Sequence, residues 1–164
     1  MRTAATLFGE EVIDRRSAGA CAQKNGALFE NYTFNELSNY NITIERKPKF
    51  WCHYGLPRRG DFLIRTNDEE IHIECKQLGN AQSHFDKLSH CLFNVVNHCY
   101  GNYFWLVYDF AKDSKKGVYK KMQRLVIRSR EIKKQVANQG INFELVHIED
   151  LPTLMKQYNI QKKY

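Results

Sequence analysis

With 164 residues, 43% of them hydrophobic and 13% aromatic, the chain is sized for one domain, residues 1–164, with a real core, which excludes a disordered polypeptide. Lys and Arg total 25 against 18 Asp and Glu, a net +7 that favours a polyanionic partner through counterion release, with an incidentally basic surface as the alternative. No run reaches the ~20 apolar residues of a membrane span, no signal peptide is read in Met1 to Ile13, and five cysteines without a CxxC pair suit a reducing, intracellular setting, cytoplasmic or nucleoid-associated.

Residues 1–17 are mixed in polarity and read as a short helix or an arm. From Ala18 to about Leu37, the positions Ala20, Ala27, Leu28, Phe34 and Leu37 suggest an amphipathic helix interrupted near Asn25-Gly26. Ile42 to Phe50 alternates like a half-buried strand, and Trp51 to Gly60 reads as a loop carrying Arg58 and Arg59. Asp61 to Thr66 and Glu70 to Leu78 read as a hairpin turning at Asn67-Asp68-Glu69. His84 to Cys99 has helical spacing of Phe85, Leu88, Leu92, Val95 and Val96. Tyr103 to Phe110 is an apolar run suited to a strand covered on both faces. Lys115 to Gln139 is basic and helical, with Leu125-Val126-Ile127 as a possible short strand; Phe143 to Ile148 reads as a strand and Pro152 to Tyr158 as a helix. The order predicts an α/β fold, a mixed central sheet flanked by helices.

The chemistry is concentrated in Gly60 to Gln77. Residues two apart in a strand share a face, so Ile71, Ile73 and Cys75 point one way and His72, Glu74 and Lys76 the other. If Asp68-Glu69 is a two-residue turn, Asn67 faces Glu70, Leu63 faces Glu74 and Asp61 faces Lys76. A one-residue slip would send Asp61 to the core face, which burial of the isoleucines resists. Two carboxylates and an ammonium then converge. Carboxylates hold a hard divalent ion such as Mg²⁺, for which Mn²⁺ can substitute, and a lysine can orient or deprotonate a water and stabilise developing negative charge. The Cys75 carbonyl is a further candidate metal ligand. The competing reading is a Glu74–Lys76 ion pair on a solvated strand, with Asp61 a turn residue.

Gly60-Asp61, a twelve-residue gap and Glu74-Cys75-Lys76 resemble the PD-(D/E)XK nuclease superfamily, including small stand-alone restriction or homing-type endonucleases and Holliday-junction resolvases. Gly60 stands where the motif's name has proline. The resemblance implies a restriction-endonuclease-like core over about residues 18–110, with a basic C-terminal extension, 111–164. It further implies a metal-dependent DNA endonuclease with Asp61 and Glu74 as metal ligands and Lys76 as the residue that positions water. Glu30 resembles the acidic residue that family members often carry on the first helix, with Glu36 as its rival. Gln77 resembles a polar residue found after the lysine in several branches, although strand parity sets it on the opposite face. Ser83 and Lys87, in QSHFDKL, resemble a helix-start segment near the scissile phosphate; Ser83 can equally cap that helix.

Arg58 and Arg59 lie among Trp51, His53 and Tyr54, a composition suited to backbone clamping or base stacking, unless the aromatics pack at the core edge. Cys52-His53 and His98-Cys99 lack the spacer of zinc-ligand pairs, and no GxSxG, P-loop or GxGxxG is present. The expectation is a DNA endonuclease, site-specific and homodimeric if it makes double-strand breaks, with no organic cofactor. The alternatives are a Holliday-junction resolvase and, from another class, a catalytically silent DNA-binding or assembly subunit. RNA as substrate is also open.

Overall fold

The computed structural model describes residues 26–51, 55, 57–66, 69–79, 82–97, 100–110 and 116–163, without the side chains of residues 82–84. The expected arm at 1–17, the helical stretch 18–25 and the two Cys/His pairs lie outside the described residues.

The first helix, α1, spans 26–38. Its buried row is Phe29, Thr33 and Leu37, spaced at i, i+4 and i+8. Thr33, a polar member of that row, is satisfied by donating its hydroxyl to the Phe29 carbonyl at 3.0 Å. Leu28, expected in the core, is exposed, because the Phe29 row wins the inward face.

The expected strand Ile42–Phe50 is two strands, β1 (Thr43–Arg46) and β2 (Lys49–Trp51). The expected loop Trp51–Gly60 holds a third, β3 (Pro57–Arg59), which pairs with β2, while β1 pairs with β4 (Phe62–Arg65). The register does not slip between the two ladders. Arg46 faces Phe62, Lys49 faces Arg59, and between them Lys47 N–H donates to the Asp61 carbonyl and Gly60 N–H to the Pro48 carbonyl. One long hairpin is therefore bent in its middle. Pro48 lacks an N–H for the ladder, and Lys47 has a φ of 53°, which turns the chain out of the sheet. The outer half, β2–β3, leaves as a two-stranded ribbon.

Strand β5 (Glu70–Leu78) pairs antiparallel with β4 and parallel with β6 (Tyr103–Phe110), which pairs parallel with β7 (Asn142–His147). The result is a five-stranded mixed sheet, β1-β4-β5-β6-β7. Helices α2 (Gln82–Val96) and α3 (Lys116–Ala137) form the β5-to-β6 and β6-to-β7 crossovers. Two successive crossovers of one hand, advancing in one direction, lay both helices on one face. There Phe85, Leu88, Met122 and Ile132 pack with Phe104, Leu106 and Phe143. The other face carries Ile71, Ile73, Trp105 and Val107 against α1 and a last helix, α4 (Leu151–Gln157). Strand β6 is thus buried on both sides, as its apolar run predicts. Leu125-Val126-Ile127 continues α3 and is not a strand.

The β4–β5 register differs from the expected one by two residues. Leu63 faces His72, and the turn is closed by Thr66 N–H to the Glu69 carbonyl at 2.9 Å and Glu69 N–H to the Thr66 hydroxyl at 3.0 Å. The hairpin pivots one residue earlier than expected because Thr66, not Asn67, makes the closing pair. Moving the pivot by one residue moves the register by two, so each side chain keeps its face.

Candidate active site

The bent hairpin creates the site. Extending the β4–β5 register would set Asp61 opposite Glu74, but the bend at Lys47-Pro48 and Gly60-Asp61 carries the backbone away from β5 at that point. The Asp61 carboxylate fills the gap. Its Oδ2 accepts the Cys75 N–H at 2.8 Å, satisfying a buried strand donor that has lost its ladder partner. Only 8% of Asp61 is exposed.

Next to it, on the face covered by α2, Lys76 Nζ lies 2.6 Å from Glu74 Oε1, 3.1 Å from the Cys75 carbonyl and 3.9 Å from Asp61 Oδ2. From the other side, α1 brings Glu30, and Lys47 Nζ sits between the two carboxylates, 2.6 Å from Glu30 Oε2 and 2.8 Å from Asp61 Oδ1. Asp61, Glu74, Cys75 and Lys76 thus meet at one place, and Glu30 is joined to Asp61 through Lys47.

Burial raises the Glu74 pKa, with the Asp61 charge adding to it, while Lys76 opposes the rise. For Lys76 burial disfavours the ammonium, but Glu74 and then Asp61 outweigh it, and its pKa is raised. Lys76 is therefore an ammonium in this arrangement, a donor and counter-charge more than a base. Lys47 is raised in the same way: burial opposes, and its bonds to Asp61 and Glu30 prevail.

A cleft of about 560 Å³ opens beside this cluster, lined by Glu74 and Lys76, by Phe50, Arg58 and Arg59 of the ribbon, and by Asp86 and Lys87 of α2. Burial pushes the Cys91 thiol in its wall up to about 11, which favours its neutral form. Ser83 sits in the first turn of α2, but its side chain lies outside the described residues. Gln77 is not in the cleft; it stands beside Asp109 of β6 in the register, on the face that strand parity assigns it. Glu36, the rival of Glu30, makes no ion pair at this site. Trp51 does not pack at the core edge: it is 73% exposed, because β2 has left the sheet.

Sequence reasoning missed Lys47, which it placed inside a straight strand; Pro48 was the signal for the bend. It also missed His90, Asn94 and Tyr100 in the cleft wall. Among the described residues, no set of three or more His, Cys, Asp or Glu side chains is arranged to hold a metal by side chains alone.

No known family matches the sequence, and no curated protein matches it. Three solved structures are similar to parts of the chain. One, the protein of unknown function AF1548, is 12% identical over 70% of this chain and 53% of its own, at a TM-score of 0.33. A second, the small subunit R.BspD6I2 of the heterodimeric restriction endonuclease R.BspD6I, is 13% identical over 79% of this chain and 67% of its own, at a TM-score of 0.38. The third, Pyrococcus furiosus SfsA in complex with Ca²⁺, is 15% identical over 76% of this chain and 55% of its own, at a TM-score of 0.31. The chain spans about half the length of the first and third.

Proposed function

We propose that the chain is a divalent-metal-dependent endonuclease that hydrolyses phosphodiester bonds in DNA. The observation that carries this reading is the meeting of Asp61, Glu74, the Cys75 carbonyl and Lys76 where β4 splays from β5, beside a cleft that Glu74 and Lys76 line together with Arg58, Arg59, Lys87 and one further carboxylate, Asp86. The donors are all oxygens and two are carboxylates, the chemistry that Mg²⁺ or Mn²⁺ prefers over a softer ion. Lys47 already places one positive charge between Asp61 and Glu30, so the site accommodates a cation there.

Asp61 and Glu74, with the Cys75 carbonyl, would hold the ion, and Glu30 would complete its surroundings from α1. When bound, such an ion polarises a phosphate oxygen and acidifies water. Lys76 presents its ammonium to the attacking water and to the charge that develops on the phosphate, held in aim by Glu74 and the Cys75 carbonyl. Arg58, Arg59 and Lys87 face the same cleft and suit the flanking phosphates. A two-stranded ribbon is an element that enters a DNA major groove, which favours sequence-selective cutting of duplex over a purely structural substrate. Since one such site cuts one strand, double-strand cleavage would require a homodimer.

The deciding experiment is cleavage of supercoiled plasmid and of a synthetic four-way junction with Mg²⁺, comparing the protein with Asp61→Ala and Lys76→Ala. Metal-dependent cutting lost in both variants supports the reading, and the preferred substrate separates duplex cleavage from junction resolution. Cutting that survives both substitutions overturns the site; no cutting by a folded protein that binds DNA points to a silent subunit.

A further inference from the structure

Lys47 is placed by an unusual piece of backbone. In β1, Ile44 packs with the α1-side core, and the Arg46 guanidinium lies 4.8 Å from the Phe34 ring of α1. Alternation assigns the next residue, Lys47, to the opposite face. Its φ of 53° breaks the alternation, and its ammonium returns to the α1 side to bridge Glu30 and Asp61. A left-handed backbone is disfavoured for a residue with a Cβ, so the fold holds this conformation against a local cost. The bond from Lys47 N–H to the Asp61 carbonyl, together with Pro48 following, keeps it there.

We propose that Lys47 is an intramolecular competitor for the divalent cation, a tethered counter-charge that organises Asp61 and Glu30 before the metal arrives and yields Asp61 when it binds. This rests on the metal reading of the site given above. The Lys47 ammonium lies 2.8 Å from Asp61 Oδ1, while Oδ2 accepts the Cys75 N–H and has Lys76 Nζ at 3.9 Å. A divalent ion that takes Asp61 through Oδ1 meets the Lys47 ammonium at close range, and the two positive charges repel. Cys75 N–H is fixed in β5, whereas the Lys47 side chain is about half exposed. The lysine is the partner that leaves, and its natural new contact is a substrate phosphate next to the metal. Metal loading and phosphate capture would then be coupled through one side chain at the root of the β2–β3 ribbon.

The test is calorimetric titration of the metal-free full chain with MnCl₂, for the protein as it is and for Lys47→Gly, Lys47→Met and Lys47→Arg. Lys47→Gly removes the ammonium and suits the left-handed backbone, so folding is protected; Lys47→Arg keeps the charge. Thermal midpoints with and without MnCl₂ give a second readout. The expected result is Mn²⁺ affinity about three- to tenfold tighter in Lys47→Gly and Lys47→Met, the range that losing one or two partly exposed ion pairs allows. Affinity in Lys47→Arg should stay near that of the parent. Lys47→Met should also lower the midpoint without metal and enlarge the rise that metal produces. If the parent binds Mn²⁺ and the uncharged variants bind it equally or more weakly, competition by Lys47 is overturned while the metal site stands. If none of the proteins binds Mn²⁺, the metal site is overturned, and the inference with it.

Discussion

The carboxylate of Asp61 accepts the backbone N–H of Cys75, 14 residues away, at 2.8 Å, in the place where a ladder partner from β4 would otherwise stand. That bond joins the bend of the hairpin to the strand carrying Glu74 and Lys76. It makes Asp61 a structural residue and a candidate ligand at once, and the two roles can be separated by substitution.

Asp61→Asn keeps an oxygen able to accept from Cys75 but loses the charge. It should fold near normally and lose cleavage by about 10²-fold or more, since a metal ligand and its charge are gone. Asp61→Ala leaves the Cys75 N–H buried without an acceptor and should cost about 1–3 kcal/mol of stability in addition. Denaturant melts alongside plasmid nicking check both, and equal stability of the two variants would contradict the bond's role.

Lys76→Met preserves the length of the stem and removes the ammonium. Mn²⁺ binding should persist, because the oxygen donors remain, while cleavage falls by about 10²–10⁴-fold. Calorimetry with Mn²⁺ and single-turnover cutting of a short duplex distinguish this from simple loss of metal. A variant that no longer binds Mn²⁺ would make Lys76 a support for the ligands and not a catalytic group.

The ribbon is testable without chemistry. Arg58 and Arg59 are exposed on β3, and Trp51 is exposed at the end of β2. Arg58→Ala/Arg59→Ala should leave the thermal midpoint unchanged and reduce the slope of log affinity against log salt by about 2, at about 0.9 per phosphate contact. Fluorescence anisotropy with a labelled duplex over a salt series reads it, and an unchanged slope would remove the ribbon from the DNA interface.

His72 lies in β5 against the Phe50 ring, with centroids 4.9 Å apart, and its Nδ1 is buried without a hydrogen-bond partner among the described residues. Burial lowers its pKa below the ordinary 6.5, with Glu70 acting against the shift. The unfolded chain therefore takes up the proton first as pH falls. Stability contributed by neutral His72 is fully present above about 6.5 and declines below it, until the folded pKa is passed. Urea melts at pH 7.5 and 5.5 should show a smaller loss for His72→Gln than for the parent; an equal loss would mean that other groups set the acid sensitivity.

Strand parity around Ile71, Ile73 and Cys75 was legible because apolar alternation within one strand needs no knowledge of its neighbours. The hairpin turn was not, since Asp68-Glu69 and the observed closure by Thr66 and Glu69 satisfy the same alternation and differ only in cross-chain bonds. For α1, periodicity identified a helix but assigned Leu28 to its inner face, where packing in the cluster with Phe62 and Ile64 places Phe29.

By itself the sequence determined the order of strands and helices from β4 onward, the doubly buried β6 and the spacing that sets Glu74 and Lys76 on one face, all of which depend on local periodicity. The tertiary structure decided the bend at Lys47-Pro48, the arrival of Glu30 from α1 and the bridging of Glu30 and Asp61 by Lys47. Those depend on contacts between residues 14 and 17 positions apart in the chain. No pattern along the sequence encodes such a distance, because it is set by how a helix and a bent hairpin pack on the same sheet.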